Sequence, residues 1–299
     1  MTGSGPSSSR SRPCDAAPLA SDVRRRQKAR MTAHVLPAWL PLSIAVWLVQ
    51  MVAYHGFALW FEYLDRTGAL TDYKMRPVDR WTYFQVLPRV LFNQVFILLP
   101  AMALVQWLGL AYAGPARIGL AMFVIGLVGM MIGHDIVQYV SHAWILHKPT
   151  LMRALGHSVH HTTTASRAVS ACYMSVADFV LEIACPYLLP LLAVTAIGSA
   201  GADLRFHFFA VTAGAFGGLY EHSGYDFSVK LARSDNRLLR FVAGLVSSKA
   251  HSEHHGRGNV SFSDGFGSSN ICDTIFKTRW DLVAQRERRR GRPADGQIA

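Results

Sequence analysis

Five runs of apolar residues set the first limit on how this chain can fold. They extend from about Val35 to Phe61, Leu87 to Tyr112, Ile118 to Val140, Val176 to Ile197 and Phe206 to Tyr220. A helix needs roughly 20 apolar residues to cross a bilayer, so the first four are long enough and the fifth is marginal. Composition agrees with a membrane-embedded chain. Hydrophobic residues make up 51% and charged residues 16%, where a soluble domain carries about a quarter charged residues. Ala113-Gly114-Pro115-Ala116 separates the second run from the third, and Gly198-Ser199-Ala200-Gly201-Ala202 the fourth from the fifth. Such short linkers predict two helical hairpins whose polar flanks, about 141–175 and 221–299, emerge on one side.

The formal net charge of +11 sits largely in two tails, Arg24, Arg25, Arg26, Lys28 and Arg30 at the front and Arg286, Arg288, Arg289, Arg290 and Arg292 at the back. Basic clusters beside apolar spans mark the cytoplasmic face and attract anionic headgroups. No recognition motif accompanies them, which argues against a nucleic-acid partner. The first run is basic on both sides, because Arg66, Lys74, Arg76, Arg80 and Arg89 follow it. Either it is re-entrant or interfacial, or the amino terminus faces outward. The expected organisation is a disordered basic leader over 1–33, a membrane-embedded domain over 34–283 with its core at about 118–281, and a disordered basic tail over 284–299. Cys14, Cys172, Cys185 and Cys272 show neither metal nor disulfide spacing.

Nine of the thirteen histidines fall into polar clusters: His142 and His147 in HAWILH, His157, His160 and His161 in HSVHH, His222 in EHSGYD, and His251, His254 and His255 in HSEHH. Positions i, i+3 and i+4 share one face of a helix, so each His-x-x-His-His presents three imidazoles together. Neutral imidazole binds iron, zinc, copper and nickel, and nine ring nitrogens suffice for two metals. His142 and His147, five apart and about 140° around an ideal helix, place one of the pair past the helix end, near Lys148-Pro149. His134 reads as a supporting residue or a ligand, and His34, His55 and His207 as packed or solvated side chains. A structural zinc site normally closes with four ligands and often uses Cys, and no cysteine lies in a triplet.

In this order the motifs resemble the fatty acid hydroxylase/sterol desaturase superfamily, and within it the C-4 methylsterol monooxygenases. The likeness runs from Asp72 to Asp281 and includes YKMRPVDR (Tyr73 to Arg80), VLFNQVFILLP (Val90 to Pro100), HSGYDF (His222 to Phe227) and the stretch Ser252 to Thr278. It departs where Ala143 replaces the usual Arg, where Ser228-Val229 replaces Pro-Trp, and where Gly218 replaces a histidine of the acyl branch; the longer His142–His147 spacing is itself like the acyl branch. The resemblance implies an all-α integral membrane enzyme. Two transmembrane helical hairpins and a re-entrant or interfacial first helix would be capped by a cytoplasmic His-rich helical region. The nine clustered histidines would ligate two Fe ions there, with zinc as a substitute in purified protein. It further implies O2, an external electron donor of ferredoxin or flavoprotein-reductase type, and a lipophilic substrate such as a sterol, isoprenoid or fatty-acyl lipid.

Carboxylates expected to orient the imidazoles are Asp135, Asp178, Glu221, Asp226, Glu253 and Asp273. Tyr139 and Tyr225 either line the site or pack beside it. Trp47, Trp60, Phe61 and Trp107 could line a path from the bilayer, although aromatic residues in apolar spans more often pack or face lipid. Three other readings compete with a hydroxylase. A desaturase or aldehyde-cleaving enzyme would keep the same metals. A non-catalytic metal-binding or transport protein would place ionisable groups along a path inside the spans. A haem protein would leave the triplets surplus.

Overall fold

The computed structural model describes residues 36–37, 39–263 and 270–289. The expected leader over 1–33 lies outside the described residues. Helices dominate, and among the described residues the sole β-type pairing is an isolated bridge between Lys74 and Tyr225. Five long helices form the bundle: α1 (Leu42–Thr67), α2 (Tyr83–Trp107), α3 (Leu120–Leu146), α4 (Val176–Ala196) and α5 (Leu204–Glu221). The first four are long and apolar enough to cross a membrane. At 1.5 Å per residue the 26 residues of α1 span about 39 Å. Leu120, Val124, Ile125, Val128 and Ile136 leave one face of α3 apolar and exposed, as a lipid-facing surface requires.

Local chemistry marks where the helices start and stop. The hydroxyl of Ser175 accepts from the amide of Asp178 at the start of α4, and Asp203 accepts from Arg205 at the start of α5, each satisfying a first-turn N–H. Gly68, in the left-handed conformation at φ 67°, closes α1. The two hairpin turns then lie against each other. Ala202 donates its N–H to the carbonyl of Pro115 at 2.9 Å, and Ile118 donates to Asp203 Oδ2 at 2.9 Å. The amide of Ser43 bonds Gln106 Oε1 at 2.8 Å, so α1 begins at this same end.

The clustered histidines gather at the opposite end. The ammonium of Lys74 donates to Asp65 of α1 at 2.6 Å, to the Ser166 carbonyl at 3.0 Å and to the Ser223 carbonyl at 2.6 Å. That single buried cation ties α1 to the loops following the first triplet and His222. From Leu42 onward the first apolar run lies in one unbroken helix that ends at Thr67, and this helix does not fold back on itself. Past the second triplet, helix α8 (Trp280–Arg289) takes in residues 284–289, expected in the disordered tail, and Arg257 pairs with Glu287 at 2.7 Å. Helices α6 (Arg237–Val246) and α7 (Lys249–Arg257) complete this end.

Glycines bring α3 and α4 into contact. A Cβ at Gly133 would stand 2.7 Å from Pro190 Cβ, and one at Gly129 2.7 Å from Val194 Cγ1. Small residues allow this approach where lipid offers no hydrophobic drive for helix association. Gly133→Val is expected to push the two hairpins apart at a cost of about 1–3 kcal/mol, read as a lowered melting temperature in detergent. An unchanged melting temperature would show that the seam is not tight.

Candidate metal centre

The nine clustered histidines converge on one buried region and divide into two groups. His142, His147, His157, His161 and His254 form the first, and His160, His222, His251 and His255 the second; within each, the potential ligand atoms lie within 4.8 Å of one another. Both triplets are split between them. From the first triplet, His157 and His161 join the first group and His160 the second. From the second, His251 and His255 join the second group and His254 the first. An i, i+4 pair thus serves one group while the residue at i+3 crosses to the other.

His142 and His147 reach the same group because the end of α3 widens. Residues His142–Leu146 form a π turn, and the N–H of His147 bonds the His142 carbonyl at 2.9 Å. This i→i+5 closure carries the fifth residue back over the first, and the two ring centroids stand 4.8 Å apart. As expected, His147 is at the helix cap.

Five rings are anchored through Nδ1. His142 bonds the Phe262 carbonyl at 2.8 Å, His254 the Val260 carbonyl at 2.7 Å, His222 the Gly218 carbonyl at 2.8 Å and His255 the Thr163 carbonyl at 3.1 Å. His157 bonds Asp178 Oδ1 at 2.8 Å. Because these partners only accept, each Nδ1 carries the proton and each Nε2 presents a bare lone pair. Two of them face neighbouring rings: His157 Nε2 lies 3.0 Å from Nε2 of both His147 and His161, and His222 Nε2 lies 3.0 Å from His251 Nε2 and 3.1 Å from His160 Nε2. Nε2 of His142 and His255 make no hydrogen bond. A cation held within either group would satisfy such buried acceptors. The donor set, all imidazole nitrogen, suits a divalent transition metal.

Burial, together with the neighbouring rings, favours the neutral form of five of these imidazoles. It pushes His160, His251 and His255 far below the ordinary 6.5, His254 down to about 3 and His222 to about 4.

The supporting residues fall out differently from the sequence expectation. Among the six expected carboxylates, Asp178 bonds one of the clustered imidazoles directly. Asp273 works one step back: it accepts from the amides of Phe262 and Ser263 and from the hydroxyls of Ser263 and Thr278. It thereby fixes the loop whose carbonyls hold His142 and His254. Asp135 caps the helix Ile271–Ile275 by accepting from the amides of Ile271 and Cys272. Asp226 accepts from Ser228 and Ser247, beyond reach of the rings, while Glu253 lies near Arg76. Tyr139 packs on Phe276 and Phe262, and Tyr225 lies under Lys74, so both support the site from outside.

Glu182 was not anticipated. Its carboxylate approaches His157 Nδ1 at 3.3 Å and His142 Nε2 at 3.6 Å. It sits one turn after Asp178, within the π turn Val180–Ala184. Two acids four residues apart inside an apolar run were its sequence signal, since such groups are costly at membrane depth without a role.

A cavity of about 440 Å³ abuts the second group, where His222 and His251 line it. Leu98, Met102, Leu127, Met130, Ile183 and Pro186 make much of its wall apolar. His134 also lines it and belongs to neither group. Glu221 borders the same space. Trp47, Trp60, Phe61 and Trp107 are not among its lining residues.

The sequence model of the fatty acid hydroxylase family matches residues 127–278, just over half of the 299 residues and all nine clustered histidines. The chain belongs to the fatty acid hydroxylase family. No curated protein and no solved structure matches it. Membership in the fatty acid hydroxylase family makes the chain an oxidoreductase of the membrane hydroxylase/desaturase type, and its apolar helices make it an integral membrane protein.

Two outcomes follow from the geometry. His160→Ala and His254→Ala each break one group, so each is expected to lower bound metal by about half; loss of none in either variant would contradict the grouping. For the metal-free protein, the folded-state values of His222 and His254 lie below the unfolded 6.5. The unfolded chain therefore takes up protons first, and stability that is complete above pH 6.5 is lost as pH falls towards 4. A melting temperature flat between pH 7 and pH 5 would contradict this burial.

Proposed function

We propose that this fatty acid hydroxylase family member is a di-iron monooxygenase that hydroxylates an unactivated C–H of a lipophilic substrate. The observation carrying this reading is the pair of all-imidazole groups beside an apolar cavity. Iron bound there would supply the redox chemistry that lets O2 react with a C–H bond. In balance, the substrate C–H, O2, two electrons and two protons give the C–OH and one water. The electrons come from an external ferredoxin- or flavoprotein-type donor.

The protein's own residues do the rest. The carbonyls of Phe262, Val260, Gly218 and Thr163 fix ring orientation. Asp178 holds the Nδ1 proton of His157 and makes that ring a stronger donor. The second group has four histidines against five in the first, and it is the one that meets the cavity. Reactants are therefore placed on its side. Apolar walls keep bulk water from competing. Met131 and Phe209, which line the cavity, are also exposed on the outer face, so a substrate reaches it laterally from the bilayer between α3 and α5. The basic residues at the histidine end, Lys148, Arg153, Lys230 and Arg233 among them, favour the cytoplasmic side for this face.

Turnover under ¹⁸O2 with candidate sterol, isoprenoid and fatty-acyl lipids is expected to give a product gaining one labelled oxygen. Loss of two hydrogens, or of one carbon, would instead make the chain a desaturase or an aldehyde-cleaving enzyme on the same scaffold.

A further inference from the structure

Two features of the cavity have no part in holding metal. One is the floor formed by α5. Ala210, Gly214 and Gly218 follow at four-residue steps and line the cavity, with His222 next in the series. A Cβ added to Gly214 or Gly218 would meet no atom within 4 Å. The missing side chains therefore open a slot that leads to a histidine of the second group. The other feature is Gln138 on α3, 5% exposed and lining the same cavity. Its Nε2 lies 3.5 Å from Glu182 Oε1, while its Oε1 is buried with no partner. A buried acceptor left in that state is unfavourable, and it calls for a donor arriving in the cavity.

Position along the helices makes Gln138 more telling than the other unpartnered amide oxygen on the wall, that of Gln50. Gln138 precedes His142 by one turn, so their Cβ atoms are about 5–6 Å apart. Gln50 lies eight residues into α1 and Gln138 eighteen into α3, both counted from the turn end. At 1.5 Å per residue they stand about 12 and 27 Å from that end. A donor held by Gln138 is beside the metal groups, whereas a donor held by Gln50 is remote from them.

We propose that the lipid oxidised here carries a hydrogen-bond-donating group, a hydroxyl or an amide N–H, within a few bonds of the reacting carbon. Gln138 Oε1 accepts that bond, and the adjoining apolar body lies along the Ala210–Gly214–Gly218 floor. Remote carbons of the same molecule are kept from the metals, so Gln138 is a specificity-determining residue. The proposal deepens the oxygenase reading of this centre and rests on it.

Binding tests it without turnover. Radiolabelled cholesterol and its methyl ether, and palmitamide and its N,N-dimethyl derivative, are titrated against the purified holoprotein in detergent, with metal content measured on the same samples. In one pair at least, wild type is expected to bind the donor form about tenfold or more tightly than the blocked form. The pair that discriminates tells a ring alcohol from an acyl amide. Gln138→Leu and the volume-matched Gln138→Met are expected to erase that preference with metal retained, and Gly218→Leu to abolish binding of both forms. Equal binding of donor and blocked forms to wild type overturns the proposal, whatever the variants do. Preference erased by Gln50→Leu and kept in Gln138→Met overturns it too, because the donor then sits far from the metals. Binding unaffected by Gly218→Leu removes the floor. If the protein holds only zinc and still discriminates, the oxygenase reading fails and this inference stands.

Discussion

Nine imidazoles, turned so that their ring nitrogens converge in one largely buried space, are the constraint on which the rest of this structure depends. Where the proton sits on the far nitrogen, as in His157 and His222, the near nitrogen is an acceptor facing other rings at about 3 Å, and a bound cation would satisfy it. The doubled His-x-x-His-His motif follows from the same geometry. One triplet on a helical turn gives an i, i+4 pair to one group and sends its i+3 ring across; a second triplet, facing it, returns the arrangement in reverse. Neither group is complete without both.

Holding such a cluster requires a support that returns on itself. Asp135 on α3 caps Ile271–Ile275, whose Asp273 fixes the loop carrying the Val260 and Phe262 carbonyls. The Phe262 carbonyl then takes the proton of His142, two turns further along α3. Segments far apart in sequence are thereby locked to one helix within a few ångströms of the metal region. The bundle supplies the opposite boundary: docked hairpin turns at one end, and at the other the Lys74 cation joining three segments.

The sequence carried a good deal of this. Helical hairpins, four spans of sufficient length and the clustering of nine histidines were legible, because apolar run length and i, i+3, i+4 spacing are local properties. The partition of each triplet was not, since it depends on how two distant helices face each other. Four ring partners are backbone carbonyls, which no residue type announces. Asp178 was among the expected supports, while Glu182 was passed over inside an apolar run. Asp226 and Tyr225 were drawn in by their nearness to His222 in sequence, yet their bonds serve the loop around Ser247 and Lys74. The first run's flanking charges suggested a re-entrant or interfacial path or an outward amino terminus; α1 is one helix packed along α5, with Phe57 and Phe61 against Phe216, and is long and apolar enough to span.

The account stands or falls on what the two imidazole groups hold. The most direct measurement is metal content per chain after expression with ample iron and anaerobic reconstitution, with a spectrum taken before and after exposure to O2. About two irons per chain, oxidised by O2, is the predicted result. Stoichiometric zinc alone under those same conditions would contradict a redox centre and leave a redox-inert metal protein.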